Sequence, residues 1–331
     1  MSEPEALNPA TVTSETAGSL APASLGAEWT IWDVAWVAGI FVLALVASAF
    51  LGLPLARLFP AFRGQDESAL AGNPLVFIPI QFAAYLIAFV FARMMITLKT
   101  QKDFWEALEW NLPRMTDRVA LILGGCVMAF CVQTATRFLP IPPQLPVERY
   151  FRTPDFAYMM LVFGIAVAPL AEEIFFRGLL FPACRRLVED PRSMAAIGAL
   201  CWIFAGAMFL YARSMRTPAS AVLAVFGYVG AGFLLAALAA RMAPEAARRA
   251  SLAAAVVVTA LLFSLVHQGQ LAQAWAPLLM LFLVGIALTL TRALMRSLAA
   301  SWLLHASYNG TLFLMLLLGT HGFRNLDRIS P

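Results

Sequence analysis

Apolar stretches about as long as a bilayer is thick recur along the chain from residue 31 to residue 319. A transmembrane helix needs about 20 mostly apolar residues, and short segments with Arg, Asp and Pro separate these stretches. The pattern predicts an all-α fold, a polytopic transmembrane helical bundle of about eight to nine spans. We place the spans near 31–53, 74–98, 118–139, 156–181, 194–212, 218–241, 250–268, 275–293 and 298–319.

The composition agrees with an integral, multi-pass membrane protein. The chain is 61% apolar and only 13% charged, where soluble domains carry about 25% charged residues. The net charge of +4 is too small and too scattered to indicate nucleic acid as a partner. Four cysteines form no CxxC pair and read as core residues: Cys126, Cys131, Cys184 and Cys201. The Ala-rich and Arg-rich composition favours a bacterial inner membrane.

A first cluster of charge interrupts the fourth predicted span. Glu172, Glu173 and Arg177 follow sixteen uncharged residues, 156–171, although an ionised group at the bilayer centre costs at least about 2.5–3.5 kcal/mol. Glu173 and Arg177 are four residues apart, so on a helix they form an ion pair on one face. Glu172 is rotated by about 100° and has no such partner. We therefore predict a structural pair beside a carboxylate that is available for chemistry. Solvated charges at a helix end would fit the same spacing.

Two further membrane segments carry histidine. Phe263 and His267 are four residues apart, so the phenyl ring can hold the imidazole in one rotamer. His305 and Asn309 share a face of the last span in the same way, where hydrogen bonding between helices is the structural alternative. Together with Glu172, these side chains can activate water and stabilise an oxyanion. Glu172, His267 and His305 could instead hold a catalytic zinc ion.

The order of these motifs resembles the CPBP family of intramembrane proteases, which includes the prenyl-protein (CaaX) endoproteases. The motifs are EEIFFR at 172–177, FSLVH at 263–267 and HASYN at 305–309. The resemblance implies proteolysis within the membrane, with Glu172 activating water, His267 assisting, and His305 and Asn309 stabilising the oxyanion. Glu173, Arg177 and Phe263 would support the site. The family has been described as metal-dependent and as glutamate-dependent, so either no cofactor or zinc is compatible with it.

The resemblance also implies a membrane-associated protein or peptide as substrate, with a prenylated CaaX-type terminus as one option.

Composition, the apolar pattern and the motifs together divide the chain into regions. Residues 1–28 form a flexible tail, because they lack both an apolar face and the basic start of a signal peptide. N-terminal helices occupy 29–153. The catalytic core occupies 154–320, with an inserted helical pair near 194–241, and 321–331 form a second tail. The alternative function is a non-catalytic membrane scaffold or peptide-immunity protein of the same fold.

Overall fold

The structure, a computed structural model, describes residues 28–325 except 143–144, 152, 190, 216–228, 231–232, 235–236, 239–240 and 242–243. Over these residues the long helices are α1 (Ile31–Ala56), α2 (Pro74–Thr100), α3 (Met115–Ala135), α4 (Pro154–Val188), α5 (Pro191–Met215), α6 (Pro244–Leu265), α7 (Trp275–Met295) and α8 (Leu298–Gly319). Short helical turns lie at Pro60–Phe62, Glu67–Gly72, Phe104–Ala107, Thr136–Phe138 and Pro146–Phe151.

Six helices are long and apolar enough to cross a membrane: α1, α2, α3 with its continuation to Phe138, α4, α7 and α8. The prediction of an all-helical, polytopic membrane protein is thus confirmed. The apolar part of α6, Arg249–Leu265, is shorter than a span, because the helix ends before His267. The fifth predicted span is helical in α5. The sixth, 218–241, lies largely outside the described residues, as do nearly all of the N-terminal tail and residues 326–331.

Polar side chains define where several helices begin. Thr30 and Asp33 form a reciprocal capping box at the start of α1. The Asn73 side chain accepts a hydrogen bond from the backbone N–H of Leu75 at the start of α2, and Ser297 caps α8 through Ala300. These side chains satisfy backbone N–H groups that the first helical turn leaves unpaired, which lowers the cost of starting a helix at a membrane boundary.

Small residues let two motif-bearing helices, α6 and α8, pack closely against neighbouring helices. A Cβ atom added to Gly125 of α3 would lie 2.6 Å from Cβ of Ser307 in α8. A Cβ added to Gly285 of α7 would lie 3.1 Å from Cα of Ala260 in α6. Because no larger side chain fits at these crossings, the backbones approach closely, as is typical of helix packing in membranes. These crossings hold α8 against α3 and α6 against α7.

A loop from the N-terminal region fixes the turn between α7 and α8. Glu109 accepts hydrogen bonds from Arg292 at 2.7 Å and Arg296 at 3.1 Å. The backbone N–H of Leu298 donates to the Glu109 carbonyl at 3.0 Å, and Ser297 donates to the Asn111 carbonyl. The first turn of α8 is therefore held in place, which sets the depth at which its later polar residues lie.

Candidate active site

Two π-helical turns flank the double glutamate of α4. They span Phe163–Val167 and Ile174–Leu180, on either side of Ala168–Glu173. In the first turn the N–H of Ala168 donates to the Phe163 carbonyl, and Pro169 has no N–H to offer the next carbonyl. Such turns are rare and occur frequently at functional sites. Here they interrupt the regular α-helical hydrogen bonding before and after the segment that carries Glu172 and Glu173.

Glu173 is fully buried and each of its oxygens has partners. Oε1 accepts hydrogen bonds from Nη1 of Arg177 at 2.9 Å and from Nδ1 of His305 at 2.8 Å. Oε2 accepts a hydrogen bond from the Ser301 hydroxyl at 2.5 Å. The carboxylate is therefore saturated by protein groups, and its position suits it to orient His305 rather than to contact a reactant.

Arg177 is likewise fully buried, in a cage formed by α4, α6 and α7. Its Nε donates to Thr289 Oγ1 at 3.3 Å and its Nη2 donates to the Gly285 carbonyl at 3.2 Å. The guanidinium carbon lies 4.3 Å from the centroid of the Phe263 ring, a distance typical of a cation–π interaction. Arg177 thus neutralises Glu173 and joins three helices.

Glu172, on the adjacent position of the helix, stands between two imidazoles. Its Oε1 is 3.8 Å from Nε2 of His267, and its Oε2 is 3.8 Å from Nε2 of His305. Its side chain keeps 19% of its surface exposed, whereas that of Glu173 keeps none. The sequence predicted no partner for Glu172 on its own helix, and the structure supplies two from other parts of the chain.

The tautomer of each histidine follows from the partner of its Nδ1 atom. Nδ1 of His267 lies 2.7 Å from the Phe263 carbonyl, and Nδ1 of His305 lies 2.8 Å from the Glu173 carboxylate. Both partners are acceptors, so each Nδ1 carries a proton and each Nε2 is directed at Glu172. The Phe263 ring packs against both imidazoles, with centroid distances of 5.0 Å and 5.8 Å. Phe263 therefore positions His267 through its carbonyl and both rings through its side chain.

Asn309 is held by the backbone of the first π-helical turn. Its Nδ2 donates to the Gly164 carbonyl at 2.8 Å, the carbonyl for which Pro169 provides no backbone donor. The amide group has a second N–H, and Asn309 lines the same cavity as Glu172. Pro169 and Asn309 are thus linked although they lie on different helices, and one amide donor of Asn309 stays available.

These side chains share one cavity of about 550 Å³. Glu172, His267, His305 and Asn309 all line it, while apolar side chains from α2, α3, α4, α7 and α8 form most of the wall. A cavity of this size and character holds water and a short apolar segment of a ligand. All four residues predicted to perform the chemistry therefore lie together; Phe263 lines the cavity as well, whereas Glu173 and Arg177 lie outside its lining.

The spacing of the donor atoms does not match a zinc site. Zinc bonds of about 2.0–2.2 Å in a tetrahedral site place the ligand atoms about 3.4 Å apart, whereas the two separations here are 3.8 Å. Over the part of the chain that the structure describes, no group of three or more His, Cys, Asp or Glu side chains fits a metal ion. A separation of 3.8 Å is one that a water molecule about 2.8 Å from each atom can bridge.

Sequence reasoning missed Ser301, Thr289 and Gly285, which complete the surroundings of Glu173 and Arg177. Ser301 precedes His305 by four residues, so its helical spacing was a usable signal. Thr289 and Gly285 show the same spacing on α7, but an isolated Thr or Gly in an apolar helix is common. Only the approach of α7 to α6 and α4 shows what they contact.

Comparison with known proteins agrees with the motifs. A family model described as type II CAAX prenyl endopeptidase Rce1-like matches residues 154–244 and 232–311. No curated protein and no solved structure gives a match. The matched region contains all seven residues of the site, and the resemblance drawn from the motifs is confirmed. Over residues 154–311, just under half of its length, the chain is similar to the Rce1-like type II CAAX prenyl endopeptidases.

Proposed function

We propose that the protein is an intramembrane endopeptidase of a bacterial inner membrane, and that it hydrolyses a peptide bond in a membrane-associated protein or peptide. The observation that carries this proposal is the convergence of Glu172, His267, His305 and Asn309 on one cavity inside the helical bundle. A carboxylate beside two imidazoles and an amide combines a base with hydrogen-bond donors. That combination suits acyl transfer to water.

The charge of the buried cluster supports separate roles for the two histidines. Glu172 and Glu173 contribute two negative charges and Arg177 one positive charge, and an unbalanced charge is costly in a low-dielectric interior. Both nitrogens of His305 face carboxylate oxygens, at 2.8 Å and 3.8 Å, whereas Nδ1 of His267 faces the Phe263 carbonyl and only its Nε2 faces a carboxylate. We therefore assign Nε2 of His305 the donor role toward the oxyanion and Nε2 of His267 the acceptor role toward water.

The reaction then proceeds in two steps. Water held between Glu172 and His267 gives a proton to Glu172, and its oxygen bonds to the carbonyl carbon of the substrate. The resulting oxyanion accepts hydrogen bonds from His305 Nε2 and from the available N–H of Asn309 Nδ2. When the C–N bond breaks, the leaving amine takes the proton from Glu172, which restores the carboxylate. The products are a free carboxyl group and a free amine.

The mostly apolar lining of the cavity favours a substrate whose bound segment is apolar. Among its described residues are Phe77, Met160, Leu281 and Phe313, and neither Lys nor Arg occurs among them. An acidic segment would thus find no positive partner except a protonated histidine, and desolvating its charge would be costly. A membrane-embedded or lipidated polypeptide meets this requirement, with a prenylated CaaX-type terminus as one candidate.

The test is cleavage by the purified protein in lipid nanodiscs. Prenylated and unprenylated C-terminal peptides are compared with a pool of membrane-spanning peptides, and the products are identified by mass spectrometry. We expect at least one class to be cut at an internal peptide bond. A folded protein that binds peptides without cutting any of them would contradict the proposal and favour the non-catalytic scaffold or immunity function.

Pro169→Ala is expected to lower kcat by about tenfold with KM little changed. Alanine supplies a backbone N–H that competes with Asn309 for carbonyls of the first π-helical turn, so the amide loses its fixed position. Asn309→Ala should cost more, about 10²- to 10³-fold, as found when one oxyanion donor is removed. If the two changes act through one group, Pro169→Ala has little further effect in the Asn309→Ala background. Additive losses would contradict this link.

Metal chelators are expected to leave cleavage unchanged. The separations of 3.8 Å between Glu172 and the imidazoles suit water better than zinc. The measurement compares initial rates before and after dialysis against 1,10-phenanthroline, with a known zinc protease as the positive control. Loss of activity that added Zn²⁺ restores would show that Glu172, His267 and His305 are ligands instead.

A further inference from the structure

Tyr85 reaches the reaction cavity from a part of the chain that the family match does not cover. It lies on α2, and together with Gln81 it lines the same cavity as Glu172. The matched region begins at residue 154, so the three site motifs give no role to this tyrosine. The cavity is therefore completed by the N-terminal helices.

The ring of Tyr85 is held between two other aromatic rings. It stacks on Phe41 of α1, with 5.5 Å between centroids and planes 17° apart. On its other side it stacks on Phe163 of α4, at 6.2 Å and 12°. Such stacks fix the plane of a ring. Phe163 directly precedes Gly164, whose carbonyl holds Asn309, so Tyr85 is positioned against the same π-helical turn as the oxyanion donor.

Packing alone does not require the hydroxyl group of Tyr85. A phenylalanine ring would stack on Phe41 and Phe163 equally well, and burying a hydroxyl in an apolar wall is unfavourable unless it forms hydrogen bonds. Gln81, one helical turn earlier, lines the same cavity, and so does the carboxylate of Glu172. A phenol O–H on this wall can donate a hydrogen bond into the cavity.

We propose that Tyr85 is a further catalytic residue, whose hydroxyl donates a hydrogen bond to the oxygen of the substrate carbonyl as it becomes the oxyanion. This proposal rests on the proposed function. It gives the oxyanion a third donor, beside Asn309 and His305, from a different region of the chain. A phenol suits this role because it is neutral, rigidly held, and remains protonated at neutral pH.

The test is Tyr85→Phe, which keeps the aromatic stack and removes one oxygen atom. We expect kcat to fall by about 10²-fold and KM to change by less than about twofold, with unfolding unchanged. Tyr158→Phe is the matched control, because Tyr158 is 48% exposed on α4 and lies outside the cavity lining. It should retain full activity. Tyr85→Leu should also lower stability, since it removes the stack.

A second measurement keeps this proposal separate from the proposed function. A peptide aldehyde forms a tetrahedral hydrate, and its affinity is compared with that of the corresponding uncleaved peptide amide. Tyr85→Phe should weaken aldehyde binding by at least tenfold and leave amide binding unchanged. Full turnover in Tyr85→Phe while Glu172→Gln is inactive would overturn the role of Tyr85 alone. Equal aldehyde affinities in wild type and Tyr85→Phe would overturn it even if no substrate were cut.

Discussion

Glu172→Gln is expected to lower kcat by about 10²- to 10⁴-fold, the range for loss of a general base. Glutamine has nearly the same shape as glutamate, so the cavity and the position of bound substrate should persist. Its amide cannot accept a proton from water at neutral pH. KM should therefore change little, and residual turnover would come from the oxyanion donors and from substrate binding.

The stability of Glu172→Gln should be equal to or higher than that of the wild type. Glu172 and Glu173 share one buried cluster with a single guanidinium, so removing one carboxylate lowers the repulsion between them. Catalytic residues often lower the stability of the folded protein, because the arrangement that activity requires is not the most stable one. A protein that becomes inactive while its unfolding temperature does not fall would separate catalysis from folding.

The measurement uses cleavage rates and thermal unfolding of the same preparations in nanodiscs. Glu67→Gln is the control, because the Glu67 side chain is 76% exposed and pairs only loosely with Arg57, at 3.6 Å. This variant removes one carboxylate far from the cavity and should change neither quantity. Turnover in Glu172→Gln within a few fold of wild type would show that the base is a different group, with His267 the nearest candidate.

The bilayer explains why so much of this fold and site is visible in the sequence. Apolar length alone predicts α1, α2, α3, α4, α7 and α8, because a membrane admits only helices or closed barrels. The same solvent makes polar residues conspicuous, so Glu172, His267 and His305 stand out against apolar neighbours. Helical spacing then predicts the pair of Glu173 and Arg177, which the structure shows at 2.9 Å.

Long-range contacts and backbone irregularities could not be predicted in this way. Nothing local indicates that Pro169 leaves a carbonyl for Asn309, 140 residues later, or that Phe41 and Phe163 enclose Tyr85. The π-helical turns depend on which helices supply replacement hydrogen bonds. In the sequence, Tyr85 looks like any other aromatic residue on a membrane helix. Its position in the lining of the cavity that Glu172 also lines indicates a role in catalysis.

Glu173→Gln is expected to reduce the free energy of unfolding by about 3–5 kcal/mol, the cost of leaving a buried charge without its partner. Arg177 is fully buried, and its contacts with Thr289 and Gly285 are neutral. Activity should fall as well, because His305 loses the charged acceptor that fixes its Nδ1 proton. Glu173→Ala should be at least as damaging, since it also leaves a cavity.

A charge-balanced double variant separates these two effects. Glu173→Gln combined with Arg177→Met removes both charges, and replacing a buried ion pair by apolar groups of similar size is often neutral for stability. We expect most of the lost unfolding free energy to return, while cleavage stays low because the charged acceptor for His305 is absent. Unfolding is followed by denaturant titration in one lipid composition.

Glu109→Gln provides the comparison for burial. Glu109 also pairs with a buried arginine, Arg292, but its own side chain is 24% exposed and it contacts Arg296 as well. Water can partly replace this carboxylate, so the loss of unfolding free energy should be clearly smaller than for Glu173→Gln.

Two outcomes for the variant that combines Glu173→Gln with Arg177→Met would contradict this account. If it were as unstable as Glu173→Gln alone, the stability would come from the shape of the side chains and not from their charges. Recovery of full cleavage in the double variant would show that His305 does not depend on Glu173.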